Sequence, residues 1–415
     1  MKLFKSSLIA LALASTVANA QSIAITNATV HTMTEQGTLT NATVIIDDGV
    51  IKAINPSDVS ADTVIDAAGK ILTPGLIGAL NQIGLVEVGA VSRTRDSSEK
   101  KADITFDVSS AFNPKSSVIP YTRKGGITTS IVAPSGGDDM FKGQAFYADL
   151  TGDFDSIVST NTAAIVSLGA KSRGSRATTI VELREKLTNA QEKLAKAKDK
   201  KSDKKDDKKS DKKPKDSEIA MNRILEGKQP LVAYVDRATD ILALIKIKKD
   251  FGINVVLAGA GDAERVAEQI AEAKIPVILG AINNLPSFDA LNRSLVTPAK
   301  LFDAGVKVSY AVSGDTHNLY MLRFDAGISV ANGVSKENAL AAVTSNIADT
   351  FNIDAGRIAV GKRADLVLWS DDPFELSTRV ERIWIEGEET STSSRQDALR
   401  DRYTAKSDMP RAYVK

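Results

Sequence analysis

The feature that most constrains this chain is an alternation. Between residues 76 and 312, short apolar runs take turns with segments of helical periodicity. The runs fall at 76–82, 127–133, 145–150, 163–168, 231–235, 254–258, 276–280 and 306–312. Helical spacing of apolar residues is clearest over 239–250, 263–273 and 336–344. Repeated β-then-α units predict a parallel sheet, and eight such strands suit a closed barrel. The expected fold class is therefore α/β, a (β/α)8 TIM barrel. The alternation is thinnest across the first three runs, where little helix separates them.

The two ends of the chain have a different texture. Ile23-Ala24-Ile25 and Ala42-Thr43-Val44-Ile45-Ile46 are short β-rich runs, and Asp47-Asp48-Gly49 turns the chain into Val50-Ile51-Lys52-Ala53-Ile54. A similar composition returns in Asp365-Leu366-Val367-Leu368-Trp369 and Arg382-Ile383-Trp384-Ile385. Strands from both termini are expected to pair into one composite β-sandwich. This divides the chain into residues 21–73 and 353–390 as the two parts of the sandwich, 74–352 as the barrel, and 391–415 as a tail. One segment does not fit a barrel: residues 186–217 are dominated by Lys, Asp and Ser. So few apolar side chains cannot offset the entropy of ordering, which predicts a solvated insertion, helical at its start and disordered through Lys215. It is either a charged tether or an inert exposed segment.

The first twenty residues read as an export signal. Lys2 and Lys5 precede an apolar run from Ser7 to Val17, and Ala18-Asn19-Ala20 supplies small residues for cleavage. The run is too short for a permanent membrane span. The mature chain is expected to begin near Gln21, and the protein to be periplasmic or secreted. The chain has no cysteine, so neither a disulfide nor a thiolate ligand is available. A formal net charge of +1 points to neither nucleic acid nor an anionic membrane as partner.

Two motifs carry a resemblance. Ile71-Leu72-Thr73-Pro74-Gly75-Leu76-Ile77 resembles the hydrophobic-x-Pro-Gly-Leu-Ile-Asp segment that leads into the first barrel strand of metal-dependent amidohydrolases. Gly356-Arg357-Ile358-Ala359-Val360-Gly361-Lys362-Arg363-Ala364-Asp365-Leu366-Val367 resembles the segment by which that family returns to its sandwich, with Thr344-Ser345-Asn346-Ile347-Ala348 as the helix before it. The similarity covers nearly the whole mature chain apart from the Lys-rich insertion and the tail. It points towards the imidazolonepropionase-related branch.

The resemblance implies one or two divalent metals at the C-terminal mouth of the barrel. Their ligands are a His-x-His pair ending strand one, a Lys or Glu on strand four, histidines ending strands five and six, and an Asp ending strand eight. Imidazole suits zinc, and zinc lowers the pKa of bound water to about 7, generating hydroxide. Carried over residue by residue, most of that set is absent. Gly78, Ala79, Leu80, Asn81 and Gln82 occupy the Asp-x-His-x-His positions, and Tyr234 stands where strand five should end in His. Leu257-Ala258-Gly259-Ala260 offers no ligand on strand six, and Lys171 is out of register for strand four. Asp315, in Ser313-Gly314-Asp315, matches the catalytic Asp of strand eight, with His317 two residues on. Asp315 is thus either a retained general base or a helix cap.

The remaining candidates come from the loops. Glu87, Arg93 and Arg95 follow strand one, where barrel loops hold substrate; either arginine could clamp a carboxylate, or both could belong to a surface ion-pair cluster. Gly136 and Gly137 could present amides to an anion or simply serve a tight turn. His31 lies far along the chain from every strand end and reads as structural. Gly259-Ala260-Gly261 mimics the start of a dinucleotide fingerprint but lacks its third glycine, since Glu264 takes that place. The candidate site is accordingly Asp315 as catalytic residue, with Asn81, Gln82, Glu87, Arg93, Arg95, Tyr234, Asp236 and His317 as pocket residues and no metal ligand. No cofactor is expected on this reading, and zinc only if hydrolysis survives. The preferred function is a non-catalytic binding or accessory subunit, a pseudoenzyme, taking a small molecule at the barrel mouth and pairing with itself or an active homologue. The alternative is a divergent hydrolase of non-peptide C–N bonds in cyclic amides.

Overall fold

The computed structural model describes residues 21–169, 175–203, 213–280, 282–312 and 316–405. At the N-terminus, β1 (Ile23–His31), β2 (Thr38–Asp47) and β3 (Val50–Ile54) form an antiparallel meander, with β4 (Thr63–Asp66) and β5 (Ile71–Pro74) parallel to β1. The β2–β3 turn falls where the sequence places it: Asp48 and Gly49 both take positive φ, 50° and 76°, as a two-residue hairpin turn requires. At the other end, β14 (Leu366–Trp369) pairs antiparallel with β5, and β15 (Val380–Ile385) and β16 (Glu388–Glu389) extend the sheet. The expected sandwich is thus one hydrogen-bonded eight-stranded sheet built from both termini. Ile25, Val30, Val44, Leu72, Leu366 and Trp384 give it a core of its own.

The eight expected barrel strands are all present, as β6 (Leu76–Asn81), β7 (Ile127–Val132), β8 (Phe141–Asp149), β9 (Ile157–Ser167), β10 (Leu231–Val235), β11 (Val255–Gly259), β12 (Val277–Leu279) and β13 (Val308–Tyr310). They lie side by side in chain order as a nearly closed TIM barrel. One expectation is corrected. The sheet is not wholly parallel, because β8 runs antiparallel to both β7 and β9. The reason is connection length: only residues 133–140 and 150–156 join these strands, too few for a crossover helix of a dozen or more residues. The chain meanders there and resumes β/α alternation after β9.

Helices α1 (Val118–Arg123), α2 (Arg176–Asp203), α3 (Asp216–Leu225), α4 (Ala238–Phe251), α5 (Ala267–Glu272), α6 (Thr297–Asp303), α7 (Leu322–Ala331), α8 (Lys336–Ala342) and α9 (Ser345–Phe351) surround the barrel in chain order, and α10 (Arg395–Thr404) lies in the tail. In α4, Ile241, Leu244 and Ile247 form the buried face, and Gly252 ends the helix in the left-handed conformation at φ 66°. The Lys-rich segment is also corrected at its start. Leu187 is fully buried in the barrel core beside Leu183, one helical turn earlier, so α2 belongs to the barrel through that point. The helix continues to Asp203, and 204–212 lie outside the described residues.

The returning motif explains how the terminal sheet is fastened. Arg363 approaches Asp149 of β8 at 3.5 Å, Asp365 at 3.0 Å and Glu386 at 3.1 Å. Asp365 also accepts the backbone N–H of Glu386 at 2.9 Å. Burial pushes the Asp365 carboxyl upward, against the pull of Arg363. A second fastener is Trp369, fully buried in the barrel core, whose indole N–H donates to Thr73 Oγ1 at 2.8 Å. A Cβ on Gly126, just before β7, would meet this ring at 2.2 Å, so only glycine lets the backbone approach it so closely.

Candidate active site at the barrel mouth

The C-terminal strand ends enclose a cavity of about 480 Å³. Leu80 and Gln82 line it from β6, Ser167 from β9, Tyr234 and Val235 from β10, and Ala258 and Gly259 from β11. Ile278 and Gly280 contribute from β12, and Ala311 and Val312 follow β13. Such convergence of strand ends is what makes this face of a barrel the usual seat of chemistry.

Two of the expected pocket residues on different strands therefore meet: Gln82 and Tyr234 face one space, with Asp236 beside them. Gln82 accepts a hydrogen bond from the Ser97 hydroxyl at 3.1 Å. Burial pushes the Tyr234 phenol up to about 12, so it stays protonated across the physiological range. Asp236 Oδ1 accepts the Gly261 N–H at 3.2 Å. Leu80 sits at φ 51°, left-handed backbone at the end of its strand.

Other expected residues are placed elsewhere. Asn81 is buried between strands, donating to Ser130 Oγ at 2.7 Å and accepting the Ile83 N–H at 3.1 Å, a strand-end brace rather than a pocket group. Glu87 is held by Asn113 Nδ2 and the Ser116 hydroxyl, both at 2.9 Å, and does not line the cavity. Arg93 and Arg95 are exposed and outside the lining, and neither makes a side-chain ion pair among the described residues. Both sit on or beside the short helical turn Ser92–Thr94, none of whose residues is buried. His317 is exposed in the turn Thr316–Met321 and likewise outside the lining. Asp315 and Lys171 lie outside the described residues. His31 pairs with Thr38 Oγ1 at 2.9 Å in the terminal sheet, as a structural residue should.

The glycine-rich loops also resolve. The amides of Ser135 and Gly136 donate to Ser97 O, and a Cβ on Gly137 would meet Glu99 O at 2.0 Å. These glycines allow backbone to pack on backbone. A Cβ on Gly261 would meet the Ala290 side chain at 2.3 Å, so the false dinucleotide run serves the close approach of the loop after β12.

That loop brings in what the sequence did not announce. Arg176, at the start of α2, pairs with Asp289 of the loop and lies 3.6 Å from Asp240 of α4. Burial raises the Asp240 carboxyl, opposed by Arg176 and Arg237. Asn292 donates to Asp262 Oδ1 at 2.8 Å and accepts from Arg265 at 3.0 Å. Arg237 and Arg293 complete the charged rim. Arg237 and Asp240 follow a barrel strand directly, a position that could have flagged them; Asp289 and Arg293 had no such signal.

The same loop is tied at its base. Asp325 of α7 accepts the Ile282 N–H, and burial pushes its carboxyl up to about 6. A raised native value means the folded protein holds this proton more tightly than the unfolded chain. Its stabilising share is full below the ordinary value near 3.8 and is lost as pH rises to about 6. Asp325→Asn, which can still accept from Ile282, is expected to flatten stability across that window. Urea melts at steps between about pH 4 and pH 7 check it; an unchanged slope would show that Asp325 titrates normally.

The described donors at the mouth do not fit a zinc ion. Among the described residues no imidazole lines the cavity, and no group of three or more His, Cys, Asp or Glu side chains stands where it could hold a metal. Gln82 is a neutral oxygen ligand, Tyr234 is protonated, and Asp240 and Asp289 are engaged by Arg176.

The comparisons agree with the architecture. The profile of the Amidohydrolase family matches residues 167–390, more than half of the sequence. The chain belongs to the amidohydrolase family. The crystal structure of an amidohydrolase from Thermotoga maritima MSB8 is similar at a TM-score of 0.80 and 26% identity, covering 88% of this chain and 99% of that one. A beta-aspartyl dipeptidase from Fervidobacterium islandicum AW-1, solved with a beta-Asp-Leu dipeptide, shares the fold at a TM-score of 0.56 and 14% identity, over 90% of this chain and 98% of that one. Amidohydrolase tasK of Hapsidospora irregularis is 23% identical over 390 residues, 83% of this chain; the chain spans 39% of that relative's length. Members of this superfamily are typically metal-dependent, which makes the donor set at this mouth unusual.

Proposed function

We propose that this protein is a non-catalytic amidohydrolase that has lost its metal centre and kept the barrel-mouth cavity to bind a small molecule. The observation that carries the reading is the identity of the side chains at the strand ends. Leu80, Tyr234 and Gly259 line the cavity where the resemblance calls for imidazoles. Without a metal, other groups must replace several kcal/mol of Lewis-acid stabilisation of the developing charge. Gln82 and a protonated Tyr234 are weak substitutes. The protein acts after export, in the periplasm or outside the cell, alone or paired with an active homologue.

The second reading is a divergent hydrolase of non-peptide C–N bonds. The observation favouring it is the cavity itself, large enough for a small substrate and lined by both aspartates and arginines. Metal content of protein purified without an affinity tag, measured beside turnover of a panel of cyclic amides, separates the two. The proposal expects substoichiometric metal and no turnover. Stoichiometric zinc together with turnover would replace it by the hydrolase reading.

A further inference from the structure

Around the mouth, charge is not evenly spent. Asp240 and Asp289 are both drawn to Arg176, and Asp236 gives one oxygen to the Gly261 amide. Arg237 and Arg293 have no salt bridge among the described residues. Arg237 is exposed, whereas Arg293 is half-buried beside the cavity. A guanidinium partly removed from water is costly without a counter-charge, and its flat fork of donors matches the two oxygens of a carboxylate.

The segment presenting Arg293 is fixed on both sides. Asp289 is held by Arg176, and Asn292 bridges Asp262 and Arg265. The guanidinium therefore leaves a positioned stretch of backbone, which lowers the ordering cost of binding. The same cavity is lined by Leu80, Ile278, Ala311 and Val312, with Gln82 and Tyr234 as neutral hydrogen-bonding groups.

We propose that the mouth takes a small molecule bearing a free carboxylate, which Arg293 holds through two parallel hydrogen bonds while its uncharged body lies on Leu80, Tyr234, Ile278 and Val312. The inference rests on the reading of the mouth as a small-molecule pocket and adds the chemical class of the ligand. A dianionic phosphate is disfavoured, because Asp236, Asp240 and Asp289 match the three arginines of the rim in number and would repel the second charge.

The test uses N-acetylated apolar amino acids, beginning with N-acetyl-L-leucine, each against its carboxamide. The carboxamide keeps the shape and removes the charge. Calorimetric titration of the purified protein is expected to show the acids binding at least about tenfold more tightly than their amides. Arg293→Met should abolish that preference while melting like the wild type, since the Arg293 side chain has no hydrogen-bond or ion-pair partner among the described residues. Acids binding no better than amides across the panel would overturn the inference, as would full acid preference in Arg293→Met. Release of acetate from a bound acid would instead overturn the non-catalytic reading and leave the carboxylate inference standing.

Discussion

Trp369→Ala is expected to cost about 3–5 kcal/mol of stability, the range for emptying a buried aromatic site. The residue is fully buried on β14, yet its ring packs into the barrel core rather than that of the terminal sheet. It joins the two halves of the molecule. Gly126, whose backbone meets the ring edge, has no side chain of its own with which to fill the vacated space, so the site should collapse poorly on that side. The indole N–H to Thr73 Oγ1 would also be lost, although Thr73 keeps its own donation to the Pro74 carbonyl at 2.8 Å. Trp369→Phe should therefore cost much less, about the value of one hydrogen bond, 0.5–1.5 kcal/mol, plus a modest packing loss. Urea denaturation of the three proteins checks the order. Equal stability of Trp369→Ala and the wild type would mean that the sheet is not fastened to the barrel through this side chain.

The second large effect is a gain. Leu80→His, Gln82→His and Tyr234→His, made together, are expected to create zinc binding that the proposed function denies to the wild type. The three positions line one cavity. Residue 80 has a left-handed backbone, a conformation in which histidine is several-fold enriched and leucine is not. The resemblance supplies Asp315 as a fourth ligand. Zinc at about a hundredfold excess over Kd would stabilise the triple variant by about 2.7 kcal/mol, with no comparable shift in the wild type. Melting curves with and without zinc read this directly. A triple variant that folds but ignores zinc would show that the mouth no longer holds its ligand positions in metal geometry.

How much of this was legible in the sequence depended on whether the signal was local. The barrel strands were found because each is a short apolar run between turn signals. The antiparallel β8 is not apparent from the run Ala145–Leu150, which leaves Phe141–Gln144 outside it; with the full strand, residues 133–140 are visibly too few for a crossover. Leu187 was hidden for a similar reason: a window dominated by Lys and Asp masks a single i, i+4 pair with Leu183 that commits the helix to the core. At the site, Gln82 and Tyr234 were legible because family motifs fix strand ends. Arg93 and Arg95 offer only charge on a loop near strand one, and both are exposed and outside the cavity lining. Arg293 was invisible, since its importance comes from what Arg176, Asp262 and Arg265 do to neighbouring residues of its loop.

On the proposed function, the mouth of this barrel binds its ligand without a metal. Thermal melting of the untagged wild-type protein before and after exhaustive treatment with a chelator tests it most directly, because a bound ion stabilises only the native state. Superimposable transitions are expected. A loss of several degrees in chelator, recovered on adding back zinc, would contradict it.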